Sequence, residues 1–278
     1  MRPCNLRRVI VLQGLTLRGL RDIGAPYAVE PAVRWSDADD VVREAPPSAV
    51  VMVNPYAGAS GGAGFPRLRE LLRRFPSTTV VAAMPLSPEN VGDVNTLMEW
   101  GVSEVVDSGP ECTGRAIQAR LRQAHARPLK RRLERALSAY VGGEARELLL
   151  GAAEVAVEGG GAPELARVLR MAPRTLTERC TRADVPHPRQ VQAWMRVLLA
   201  CMLLDDPGRT VYATAYACGY TTDRSLRRLV GSYLGADATT LRRGGAFAQA
   251  ARAFNGRLRE LREVGRERRR RERARSEA

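Results

Sequence analysis

The 278-residue sequence predicts two domains of different class: an α/β domain on a parallel sheet, then an all-α domain with two helix-turn-helix pairs. Three observations carry this prediction. Up to about residue 126, short β-rich runs alternate with amphipathic stretches long enough for crossover helices, the pattern of parallel strands covered on both faces. From Glu144 onward the β signal disappears and only helical periodicity remains. Charge divides in the same region. Residues 1–126 carry 14 Arg against 13 Asp plus Glu, whereas residues 127–278 carry 30 basic against 17 acidic side chains.

Val9–Leu12 reads as the first strand and Leu15–Ile23 as a short helix. Tyr27–Val33 is the second strand, and Ser36–Glu44 a helix capped by Ser36 or Asp37. Ala49–Val53 is a continuous apolar run closed by Asn54-Pro55, as expected of a buried parallel strand. Phe65–Arg74 is helical, with Leu68, Leu71 and Leu72 on one face. Thr78–Met84 is a strand, Pro88–Trp100 a helix stopped by Gly101, Val102–Val106 a strand, and Glu111–Ala124 the last helix of this domain.

This order resembles the response-regulator receiver domain, with Ala49–Ala124 carrying the likeness, so the resemblance implies a flavodoxin-like fold over residues 1–126. Receiver chemistry is absent from the sequence. Asn54 stands where a receiver has its phosphoacceptor aspartate, and Gln13-Gly14 where it has the acidic pair for Mg²⁺. Met84-Pro85 and Asp107-Ser108 occupy the Thr/Ser and Lys places. An amide cannot take the phosphoryl group, and without clustered carboxylates Mg²⁺ lacks its hard oxygen ligands. The domain is therefore expected to be a degenerate receiver, not a phospho-switch. The Gly58–Gly64 loop (GASGGAG) follows a strand and precedes a helix, where a small anionic ligand could sit. Its spacing matches neither GxGxxG nor a P-loop, and a plain loop is the simpler reading.

Residues 127–142 read as a connector helix. Leu129, Leu133 and Leu137 recur every four residues, either to pack on a domain or to form a dimer helix. Helical segments follow at Glu144–Val157, Pro163–Leu169, Pro173–Arg182, Arg189–Leu204, Val211–Cys218, Thr222–Leu234 and Ala246–Arg275. Residues 143–245 form the helical domain. Residues 246–278 are set apart as an Arg-rich helical or disordered tail, with ten Arg and five Glu from Arg257 on.

Two helix pairs share one form. PELARVLRMAPRTLTERC places Leu165 and Ala166 in a short helix, then a tight turn, then a helix from Pro173 with Leu176 inward. TVYATAYACGYTTDRSLRRLV places Val211 and Ala215 inward, Gly219 in the turn, Thr221 or Thr222 as cap, and Leu226 and Leu229 in the second helix. Small residues allow a close helix crossing, and Gly supplies positive φ. The second helix of such a pair fits a major groove and offers its N-terminal side chains to base edges.

Over Gly161–Arg243 these motifs, with the bridging helix WMRVLLACMLL and the closing GSYLGADATTLR, resemble the AraC/XylS type of transcription regulator. The departures are Leu226 for an aromatic, Arg170 for Gly, and Ala238 for a closing Pro. The resemblance implies sequence-specific binding of double-stranded DNA. It implies that Arg174, Thr177 and Glu178 in the first recognition helix face bases, as do Asp223, Arg224, Ser225, Arg227 and Arg228 in the second. Trp194, Leu176, Leu199, Leu203 and Leu226 are expected in the core.

Two histidines and five cysteines without CxxC spacing argue against zinc, a His-based triad or a disulfide framework. Cys180, Cys201 and Cys218 lie in apolar stretches and read as buried thiols. No metal, cofactor or catalytic activity is expected. No run approaches the ~18 apolar residues of a membrane span, and Val9–Leu12 is too short for a signal segment, so a cytoplasmic, membrane-free protein is expected. A homodimer, if formed, would use the N-terminal domain or the connector.

Overall fold

The computed structural model describes residues 6–57, 64–109 and 112–276. It separates into two compact units. One comprises Met1–Pro128 with Asp206–Ala213; the other comprises Leu129–Asp205 with Thr214–Ala278.

The first unit is built on five parallel strands: β1 (Arg7–Val11), β2 (Tyr27–Val29), β3 (Val50–Val53), β4 (Thr79–Met84) and β5 (Glu104–Asp107). Their order is β2-β1-β3-β4-β5, the flavodoxin-like arrangement. Alternation along the strands divides the core. Ile10, Val51, Val53, Val80, Ala82 and Met84 face one side, where Val42 of α1 (Ala38–Glu44), Leu68 and Leu71 of α2 (Gly64–Arg74) and Leu97 of α3 (Val91–Trp100) cover them. Val9, Val11, Val50, Met52, Val81 and Ala83 face the other, beneath Ile117 and Leu121 of α4 (Gly114–Ala124).

Two elements differ from the sequence reading, each for a local reason. The expected helix Leu15–Ile23 is only a 3₁₀ turn, Arg18–Asp22. It is pressed so closely on the start of α4 that a Cβ on Gly19 would lie 2.6 Å from the Cys112 carbonyl oxygen. The expected strand Tyr27–Val33 pairs only as Tyr27–Val29, with one isolated bridge from Leu12 to Val33. The Glu30 N–H still donates to the Val9 carbonyl (3.0 Å), but the next bond to β1 runs from the Val33 N–H to the Val11 carbonyl (2.8 Å), one residue later than a regular parallel ladder places it. The helix expected from Pro88 begins as a 3₁₀ turn, Pro88–Asn90, and becomes α-helical at Val91. Gly101 ends it in the left-handed conformation, φ 119°.

Asp206–Ala213, read from sequence as part of the helical domain, counts with the first unit. The Asp206 carboxylate accepts from the Ser77 N–H (3.2 Å) and hydroxyl, and Arg209 donates to the Ala45 carbonyl. Asp206 and Arg209 are both buried, with Arg209 Nε 3.8 Å from the carboxylate.

The second unit is helical: α5 (Arg127–Ala136, entering from the first unit), α6 (Gly143–Val157), α7 (Ala162–Val168), α8 (Pro173–Arg182), α9 (Pro188–Leu204), α10 (Val211–Ala217, beginning in the first unit), α11 (Asp223–Leu234), α12 (Ala238–Arg243) and α13 (Ala246–Ser276). α9 is buried along most of its length, as its near-uniform apolar sequence demands. Trp194 packs edge-on to Tyr233 at 4.7 Å and against Phe254 at 5.2 Å. The expected core residues Leu176, Trp194, Leu199, Leu203 and Leu226 are all buried. So are Leu129, Leu133 and Leu137, and Asn255 accepts from Ser138 and donates to the Ala136 carbonyl. The connector stripe is thus consumed by packing.

The residues set apart as a tail start with a buried stripe. Phe247, Ala250, Ala251, Phe254 and Leu258 pack into this unit, and one helix continues to Ser276. α12, for which the sequence reading has no element, is a six-residue helix capped by Asp237, which accepts from the Thr239 and Thr240 N–H groups.

Candidate nucleic-acid interface

The two helix pairs are built from the same local parts. α7 and α10 are seven residues each, with Leu165–Ala166 and Thr214–Ala215 buried at matching positions. Both helices close with the same hydrogen bonds. After α7, Leu169, Arg170 and Met171 donate to the carbonyls of Leu165, Arg167 and Ala166. After α10, Cys218, Gly219 and Tyr220 donate to those of Thr214, Tyr216 and Ala215. The second bond of each trio belongs to a left-handed residue, Arg170 at φ 54° and Gly219 at φ 82°. Arg170 therefore adopts a conformation for which the related motif uses glycine.

The second helices match as well. Their N-caps are Ala172 and Thr222, and the fourth and eighth helical residues are buried: Leu176 and Cys180 in α8, Leu226 and Val230 in α11. The turn into α11 is one residue longer, and Thr222 is a working cap, its Oγ1 accepting from the Ser225 N–H at 3.3 Å.

The eight side chains expected to face bases fall into three states. Arg174 pairs with Glu178 (2.8 Å), and Arg227 with Asp223 (3.1 Å), each an i,i+4 pair on its own helix. The Arg174 side chain is 92% exposed, so this pairing is loose and open to exchange. Thr177 and Ser225 are occupied locally. Thr177 donates to the Pro173 carbonyl (3.1 Å), and the Ser225 hydroxyl lies 3.1 Å from the Thr222 hydroxyl. Arg224 and Arg228 are exposed, one turn apart, with no ion pair to any described residue. Like charges at i,i+4 cost an isolated helix about 0.2–0.5 kcal/mol. With Tyr220, Ser225, Leu229 and Ser232 they line a shallow cleft of about 350 Å³.

Sequence reasoning missed cations beside α8. The Arg269 guanidinium donates to both oxygens of Asp184 (3.0 and 2.8 Å), and Arg268 donates to the Thr181 carbonyl (3.2 Å). Distal α13 thereby lies along the end of α8, and Arg182 and Arg268 flank Thr177 and Glu178. The one available signal was Gly265 at the head of the arginine run. A Cβ there would come 1.9 Å from Asp184 Oδ1, so only glycine lets the helix pass.

In the first unit, Asn54 serves the backbone. Its amide donates to the Gly14 carbonyl (3.2 Å) and accepts from the Tyr56 N–H (3.0 Å). Asp107 accepts from the N–H groups of Leu86 and Gly109. Tyr56 donates to Asp93 at 2.5 Å, and burial together with that carboxylate pushes its pKa up to about 12. Residues 58–63 of the Gly58–Gly64 loop, together with Cys4 and Glu111, lie outside the described residues. Among the described residues no three His, Cys, Asp or Glu side chains are grouped to hold a metal ion, and no helix is long and apolar enough to cross a membrane. Cys180, Cys201 and Cys218 are buried, and burial raises their thiol pKa values to about 11, 12 and 12.

No protein-family model, no curated protein and no solved structure is significantly similar to this chain.

Proposed function

We propose that this protein is a sequence-specific DNA-binding transcription regulator of the AraC/XylS type, acting by binding alone. The observation that carries the reading is the duplicated helix-turn-helix, with the same turn hydrogen bonds and the same buried positions in both second helices. Each presents an exposed N-terminal face bearing arginine.

In this reading α11 enters a major groove by its N-terminal half. Arg224 takes guanine O6 and N7, and Arg228, one turn on, takes a base edge or a phosphate. Asp223 holds Arg227, and Ser225 works with Thr222 to fix the helix start, so both position the readers. α8 enters a neighbouring groove about one helical turn (~34 Å) away. There Arg174 exchanges Glu178 for guanine, and Glu178 is released toward cytosine N4. Thr177 supports that surface. The excess of basic residues over 127–278 supplies the sequence-independent phosphate attraction. The flavodoxin-like unit is assigned to dimerisation or protein contact, and Asn54, hydrogen-bonded to the backbone, gives it no phosphoacceptor.

The test is a titration of the full chain against duplexes recovered from a random pool, over a range of salt. Tight binding to a recovered site, a steep loss with salt and a residual preference at high salt are expected. Binding that ignores sequence at every salt concentration would overturn the proposal.

A further inference from the structure

Away from the α11 face, the helical unit holds a second cleft of about 350 Å³. It is closed by the α5–α6 loop, the end of α8 and the middle of α13. Its floor is apolar, made by the buried side chains of Val141, Ala145, Val185 and Leu258. Three arginines line it: Arg182, Arg262 and Arg269. Arg269 is neutralised by its two hydrogen bonds to Asp184. Arg182, the last residue of α8, and Arg262 have no carboxylate partner among the described residues. The Arg262 guanidinium lies over the Tyr140 ring, 5.0 Å from its centroid, and the Tyr140 hydroxyl donates to the Asn255 carbonyl (2.8 Å), which fixes the ring beneath it.

The cleft thus offers two uncompensated guanidinium groups above an apolar floor, in a volume within the range of small-molecule sites. Two planar forks suit a doubly charged head with several acceptor oxygens, and the floor suits a compact apolar body. A phosphate monoester has that charge, roughly −1.5 to −2 near neutral pH, and that oxygen geometry. We propose that this cleft binds a small phosphate monoester carrying an apolar or aromatic group, its phosphate held by Arg182 and Arg262 and its body laid on Val141, Val185 and Leu258. This goes beyond DNA binding and is tested without DNA.

The probe is phenyl phosphate, titrated into the full chain and followed by amide shifts and calorimetry, with inorganic phosphate and phenol as half-ligand controls. Phenyl phosphate is expected to shift the amides of Val141, Ala145 and Val185, and to bind at least about tenfold more tightly than either control. Arg182→Gln or Arg262→Gln weakens it on the order of tenfold each, as loss of a charge-assisted hydrogen bond requires. Leu258→Trp fills the floor and abolishes binding while the helical signal is kept. Arg224→Gln with Arg228→Gln leaves binding at this cleft unchanged, which separates the site from the α11 face. Failure of phenyl phosphate to shift those amides, affinity no better than that of inorganic phosphate, or indifference to both single substitutions would each overturn the assignment.

Discussion

Replacing Arg170 by Gly should stabilise the helical unit, whereas replacing Gly219 by Ala should destabilise it. The two residues hold the same place in two turns closed by the same hydrogen bonds, at φ 54° and φ 82°. A side chain in the left-handed region costs about 1–2 kcal/mol. Glycine avoids that cost but loses about 0.4–1 kcal/mol more through the freedom of the unfolded chain. The difference is about 0.5–1 kcal/mol in favour of glycine at either position. Arg170 is exposed and its side chain makes no hydrogen bond to any described residue, so no such contact is lost with it. For a unit of this size the midpoint should move by about 2–4 °C per kcal/mol, upward for Arg170→Gly and downward for Gly219→Ala. Thermal and urea unfolding followed by far-UV circular dichroism reads both shifts, with the urea slope unchanged. Shifts of the same sign, or a loss of stability in Arg170→Gly, would show that the two turns are not equivalent.

Arg224→Ala should cost about 1–3 kcal/mol on a matched duplex and relax preference at one base pair. Arg257→Ala, which removes an exposed side chain paired with Glu260 on α13, should weaken all duplexes slightly and alike; binding titrations on matched and mismatched sites compare them. Burial, helped by the charge of Arg7, pushes the pKa of His125 down from 6.5 to about 3. Between those values the unfolded chain binds a proton that the folded unit refuses, so stability should fall as pH drops through that window, by about 1.4 kcal/mol per pH unit. Urea melts of the wild type and His125→Phe across this range should differ by that slope, and parallel curves would contradict it. Incubation with a phosphoryl donor and Mg²⁺ should leave the mass unchanged, because Asn54 is an amide bonded to Gly14 and Tyr56; an acid-labile adduct in the first unit would refute this.

The parallel sheet was legible because its strands are buried on both faces and read as continuous apolar runs; Val50–Val53 and Thr79–Met84 are buried throughout. Helix ends were legible where a cap or breaker marks them, as at Pro173, Gly101 and Thr222. What escaped was long-range. Nothing near Asp206 and Arg209 announces Ser77 and Ala45 as their partners, and the apolar stripe of α13 is diluted by the Ala and Arg around Phe247 and Phe254. Within the candidate site, residue types predicted which positions are exposed. The i,i+4 spacing that pairs Arg174 with Glu178 and Arg227 with Asp223 was also there to be read; what was not is the approach of Arg268 and Arg269 to the end of α8, which depends on contacts more than eighty residues apart.

Selection of bound duplexes from a random pool by the full chain, set beside selection by Arg224→Gln/Arg228→Gln, tests DNA reading most directly. The wild type should enrich a two-part motif whose halves are spaced by about one helical turn, one of them containing guanine. The double variant should keep the half read by α8 and lose the half read by α11. An unchanged pool after repeated rounds, or an identical motif from the double variant, would contradict the assignment of α11 as a base-reading helix.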